Sequence, residues 1–302
     1  MFGKGRGGSV TRQISYTVQI GTDFDYGQKL FWTLAAEKFL QAHNVFATRP
    51  RFYRKMWADL AARYDGTPAG ADALNAMFHL DRADPDADLH FVLKVTELMQ
   101  PAQHFCPAGD WLFDLGARAA RYRGVLAPSP VTFMISLRNP AIMLSEAWAS
   151  GDYPGFDVLP PDPFRLSWPS VLRDLRQQCP DAAIIAWTAE ESPIVWGRVL
   201  KAAAGLDADF SIPSQIHIAR RLMSEEGAER LEKYLESHPG MPEDLRTRVI
   251  TIFLKRFARE DAVEADIVIP GWTEALQDQI DDRYAADLEE VRGIEGVTLI
   301  ST

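Results

Sequence analysis

Several things are scarce in this sequence, and each scarcity excludes something. There are two cysteines, Cys106 and Cys179, which match no metal-ligand spacing and are too few for a disulfide framework. Both are expected to be reduced, buried thiols. None of the six histidines (His43, His79, His90, His104, His217, His238) falls in a spacing such as HExxH, so no metal site is expected. Each histidine is read as solvent-facing or hydrogen-bonded in the core. No run approaches the roughly 20 apolar residues that a membrane span needs, and the opening MFGKGRGGSVTRQ has no apolar stretch to act as a signal sequence. A cytoplasmic location is the expectation, with Met1 to about Gln13 as a flexible arm. Positive charge is also in deficit: 32 Lys and Arg against 42 Asp and Glu give a net charge of −10. That balance argues against a general affinity for nucleic acid or an anionic membrane, both of which need a basic face. A local anion site is still compatible with it.

What is present is ordinary for a globular chain: 302 residues, 47% hydrophobic and 25% charged. There is no internal repeat and no low-complexity linker, so residues 14–302 are read as one domain. Three β-rich runs each lead into a helix or turn: ISYTVQIG (Ile14–Gly21), VTFMISLRNP (Val131–Pro140) and DAAIIAWT (Asp181–Thr188). LHFVLKVTEL supplies a fourth strand. After the first run, Leu30 and Leu34, then Phe31, Ala35 and Phe39, recur at helical spacing. After the third, Ser192 suits an N-cap, Pro193 the first helical position and Gly205 the stop. Strands alternating with helices predict an α/β fold with a parallel sheet covered on both faces. The last third is helical by pattern, with starts at Ser224, Pro242 and Thr273. The proline-rich Asp152–Trp168 reads as a surface loop.

Strand, turn and helix around VQIGTDFDYGQKLFW form the arrangement that aims unpaired helix amides at an anion. Gly21, Gly27 and Lys29 are present but not in GxxxxGK[ST] spacing, and Asp23 and Asp25 repel a phosphate; an ordinary turn with capping Asp residues is the competing reading. In SLRNP, Arg138 ends a strand and Ser145 follows about two helical turns on, a pair able to fork a phosphate or sulfate. The plain alternative pairs Arg138 with an acidic side chain.

Taken in this order, ISYTVQIG and FMISLRNPAIMLSEAWA resemble the sulfotransferase family, whose fold is P-loop NTPase-like. AAIIAWTAEESPIVWGRVLKAAAGL is similar to that family's later strand, turn and helix, and YAADLEEVRGIEGVTLI to the tail of its bacterial members. The resemblance implies 3′-phosphoadenylyl sulfate as donor. Amides near Gly21, Gly27 and Gln28 would take its 5′ end, and Arg138 with Ser145 its 3′-phosphate. It also implies a carbohydrate or small-molecule hydroxyl as acceptor, with Glu97, after the FVLKV strand, as base. Two departures matter. Laid on the family loop, GTDFDYGQ puts Phe24 where the lysine belongs, and Asp25 and Tyr26 where Thr-Gly belongs. In the second motif Glu146 stands where the family has its serine. Loss of one preorganised cation commonly costs on the order of a hundred- to a thousand-fold in rate. Lys29, one helical turn on, is the candidate replacement.

Two other readings stay open. A non-catalytic member would keep the fold as a binding or scaffolding module. A metal-dependent nucleotide-sugar glycosyltransferase would use Asp23 and Asp25 as an Asp-x-Asp metal pair. The basic cluster Arg49, Arg51, Arg54 and Lys55 either faces an anionic ligand or forms a solvated helix face. Trp168, Trp187 and Trp196 are read as core.

Overall fold

The computed structural model describes residues 12–20, 27–95, 115–150, 162–207, 210–259, 267, 269 and 271–302. Six strands build the sheet: β1 (Ile14–Ile20), β2 (Val45–Ala47), β3 (Leu89–Lys94), β4 (Val131–Leu137), β5 (Ala183–Thr188) and β6 (Val297–Ile300). They lie in the order β2-β3-β1-β4-β5-β6, and every pairing is parallel. The protein is therefore α/β, with its sheet covered on both faces as parallel sheets require.

Period-two alternation divides the core in two. Tyr16, Val18 and Ile20 of β1, Phe91 and Leu93 of β3, and Phe133 and Ile135 of β4 face one side. They pack under α2 (Pro50–Ala62), α3 (Ala71–Phe78), α4 (Leu115–Leu126), α5 (Pro140–Ser150), α6 (Trp168–Gln178) and α11 (Glu274–Arg292). Val92, Met134 and Trp187 face the other side, under α1 (Gly27–Ala36) and α7 (Ser192–Ala204). A third cluster joins α8 (His217–Leu222), α9 (Glu225–Glu236) and α10 (Glu243–Phe257) outside α7. Trp57, Trp168, Trp187 and Trp196 are fully buried, each contributing on the order of 2–3 kcal/mol of transfer free energy. The three tryptophans read as core are core.

Local chemistry sets the element ends. Ser224 accepts from Gly227 N and Thr273 from Leu276 N, so both cap the helices they were expected to start. Pro242 precedes α10 as expected, and Gly205 ends α7 at φ 64. Ser192 differs: Glu191 takes the N-cap position, and the Ser192 hydroxyl instead accepts from Trp187 Nε1 (3.2 Å). The first long helix is shorter than its pattern. It stops at Ala36, where Glu37 turns away and its carboxylate accepts from Ser214 N (3.0 Å), and a 3-10 turn covers Lys38–His43.

Residues 152–161 of the expected Asp152–Trp168 loop lie outside the described residues. Its end is regular: Ser167 caps α6, which begins at Trp168. Of the expected arm, residues 1–11 lie outside the described residues. Arg12 donates to Leu80 O (3.2 Å) and Gln13 N to Asp88 Oδ1 (2.8 Å). Cys179 is free and buried, and burial with Asp181 nearby pushes its thiol up to about 12; Cys106 lies outside the described residues. No described helix is long and apolar enough to cross a membrane.

Candidate functional site

Strand order locates the crevice. From β1 the chain leaves toward β2 on one side of the sheet, and from the adjacent β4 it leaves toward β5 on the other. Neighbouring strands whose connections diverge leave a gap beyond their carboxyl ends, where ligands of open α/β sheets bind. The helices that follow these two strands, α1 from Gly27 and α5 from Pro140, begin at this edge, so their unpaired amides contribute partial positive charge there.

Three cations converge here. Lys29, the third residue of α1, has its pKa lowered by desolvation, then by Arg221 and Arg138, while Glu146 acts in the opposite sense. Arg138 directly follows β4. Its Nη2 meets Glu146 Oε1 at 2.5 Å, with the side chains 15% and 37% exposed. The carboxylate that stands in place of the family serine therefore engages the arginine expected to take a phosphate. Ser145 is buried on α5, at 4% exposure. Gly27 and Gln28 are the first two residues of α1. Gly21, Asp23, Phe24, Asp25, Tyr26 and Glu97 lie outside the described residues.

Behind the cations, buried polar groups face the α1 side of the sheet. Among the described residues, Gln19 is completely buried with neither amide atom hydrogen-bonded, and the Ser136 hydroxyl on β4 is also buried without a partner. Gln19 lies between Lys94 of β3 and Met134 of β4 in the register. Buried polar side chains are nearly always satisfied, so two orphans at the end of β1 and β4 mark a place where water or a ligand belongs. Sequence carried a signal for them: a central parallel strand is normally apolar on both faces, yet ISYTVQI places Ser15, Thr17 and Gln19 on one. Lys94 is itself buried, with its backbone N–H and C=O both bound by the Tyr53 hydroxyl (2.8 and 3.0 Å).

On the β5 side the rim is closed by an internal network. Asn139 caps α5 by accepting from Ala141 N (2.8 Å), while its backbone N donates to Glu190 Oε1 (2.9 Å) and its amide to Asp281 Oδ1 (2.6 Å). Tyr284 donates to the other Glu190 oxygen (3.0 Å), and burial together with Glu190 holds its phenol well above the ordinary range. Trp168 Nε1 donates to Arg138 O (2.9 Å). These bonds tie α11 and α6 to the Arg138 turn, so its backbone is fixed in advance.

Elsewhere the plainer readings hold. His90 is a satisfied core histidine, with Nδ1 at 2.9 Å from Ser15 Oγ and Nε2 at 3.0 Å from Ala203 O; desolvation lowers its pKa. Arg51, Arg54 and Lys55 lie on the exposed face of α2, opposite buried Tyr53 and Trp57. Among the described residues no three His, Cys, Asp or Glu side chains come together as a metal site. Compared with known proteins, the chain matches no family model, no curated protein and no solved structure.

Proposed function

We propose that the β1–β4 crevice binds a phosphorylated nucleotide, and that the protein is a P-loop-derived, sulfotransferase-like member whose donor site has been rebuilt. The observation that carries this reading is the placement of Lys29 on the first turn of α1 and Arg138 at the end of β4, both at the switch point; desolvation first, and Arg221 and Arg138 after it, lower the Lys29 pKa. Cations that outnumber carboxylates among the described residues of the crevice favour an anion. Lys29 then replaces the cation missing from the loop at Phe24. The residues fit 3′-phosphoadenylyl sulfate in outline. Arg138 and Ser145 would take the 3′-phosphate, the α1 amides at Gly27 and Gln28 with Lys29 the 5′ end, and Gln19 and Ser136 stand ready as polar partners. The donor supplies the sulfo group; an acceptor hydroxyl on a carbohydrate or small molecule attacks sulfur, the bond to the phosphate oxygen breaks, and Glu97 is the proposed base for the hydroxyl proton.

3′-Phosphoadenosine 5′-phosphate should raise the melting temperature of the wild-type protein and not that of Arg138→Ala. Absence of a shift at millimolar ligand would end the donor reading.

One observation favours a second reading. The 2.5 Å pairing of Arg138 with Glu146 supplies internally the anion that a nucleotide would bring. In that case the fold is a binding or scaffolding module, and nucleotide binds only when Glu146 is neutralised.

A further inference from the structure

A second concavity opens at the β2 edge of the sheet. Between β2 and α2 lies a cavity of about 310 Å³, walled by Phe46, Phe52, Phe78 and Phe91, with Arg49 and His79 beside them. Register builds its floor. Phe46 and Phe91 face each other across β2 and β3 with ring centroids 5.5 Å apart, and Phe78 from the end of α3 stands 5.2 Å from Phe91. Phe52 forms the outer wall, 46% exposed, in a T-shaped contact with His79 and with the Arg51 guanidinium 4.7 Å from its centroid.

The polar side is as specific as the apolar one. Arg49 is exposed at the cavity, and among the described residues it has no carboxylate partner and no Asp or Glu lines the space. His79 occupies the left-handed region at φ 54, where a glycine is the unstrained choice, and the fixed turn presents its imidazole at the cavity.

We infer that this cavity binds a small aromatic carboxylate, its ring among the four phenylalanines and its carboxylate on Arg49 and His79. A volume near 300 Å³ suits one ring with a short side chain. The walls favour edge-to-face and offset aromatic contacts. One guanidinium matches the two oxygens of a carboxylate, whereas a phosphate would leave an oxygen against phenyl carbons. The inference is independent of the nucleotide reading, because β2 lies two strands from β1, about 10 Å by inter-strand spacing.

The test is an NMR titration of the full chain with 3-phenylpropionate, compared with its uncharged amide and repeated in Arg49→Met and Arg49→Lys. The expected result is saturable binding with shifts centred on Phe46, Phe52 and His79. Arg49→Met and the amide should each weaken it about tenfold or more, with partial recovery in Arg49→Lys. Should Arg49→Met fail to fold, the acid-against-amide comparison on the wild type decides. No saturation at millimolar ligand, equal binding of acid and amide, or shifts centred elsewhere would overturn the inference.

Discussion

Replacing Glu146 with glutamine separates the two readings of the crevice, because it removes the carboxylate from Arg138 while keeping its shape. The two side chains meet at 2.5 Å, with Arg138 15% and Glu146 37% exposed. Unit charges about 4 Å apart attract by roughly 4 kcal/mol at an effective dielectric constant of about 20. Glu146 is more than a third exposed, so solvent screening brings the usable energy to about 0.5–1 kcal/mol. A ligand anion that must displace this carboxylate should therefore bind about two- to fivefold more tightly to Glu146→Gln. Isothermal titration calorimetry with 3′-phosphoadenosine 5′-phosphate measures it. The same substitution removes a carboxylate that holds the Lys29 pKa up, so that pKa should fall further. Unchanged or weaker binding in Glu146→Gln would show that Glu146 does not compete for Arg138, and the argument from this ion pair would fail.

Three other outcomes follow from the fold. Desolvation lowers the His90 pKa in the folded state below its unfolded value. Stability is therefore full above about pH 6.5 and falls as pH drops toward the folded pKa, by up to about 1.4 kcal/mol per unit; urea melts of wild type against His90→Gln should show that slope only in the wild type. Gly124→Ala places a Cβ 2.2 Å from Tyr64 Cζ, so despite better helix propensity it should lose about 1–3 kcal/mol in urea unfolding, and a neutral result would mean Tyr64 moves freely aside. Asn139→Ala removes the α5 cap and the bond to Asp281, and should lower stability by about 1–2 kcal/mol while weakening nucleotide binding through the loosened Arg138 turn.

The sheet was legible wherever a strand was long: β1, β3, β4 and β5 each carry six or seven residues. Two strands escaped because three residues in β2 and four in β6 are too few for alternation to show. In α2 the basic side chains are the conspicuous feature of the sequence, although Tyr53, Trp57 and Ala61 at helical spacing are its buried stripe. The α6 helix was hidden behind a proline-rich approach, its Trp168-Pro169 start being a favoured first turn. At the site, Arg138 was visible as an arginine ending a buried strand, and its pairing with an acid was the plain alternative. Arg221 carried no signal, because only the docking of α8 outside α7 brings the end of that helix toward α1. Gln19 and Ser136 show how a local rule and a site interact: each breaks the apolar habit of a central strand where the sheet meets the crevice.

The most direct measurement is the ionisation of the Lys29 amine, followed by NMR of isotopically labelled lysine with and without 3′-phosphoadenosine 5′-phosphate. A crowded cationic crevice predicts a free-protein value below the usual 10.5 that rises when the nucleotide is added. An ordinary value that the nucleotide leaves unmoved would contradict it.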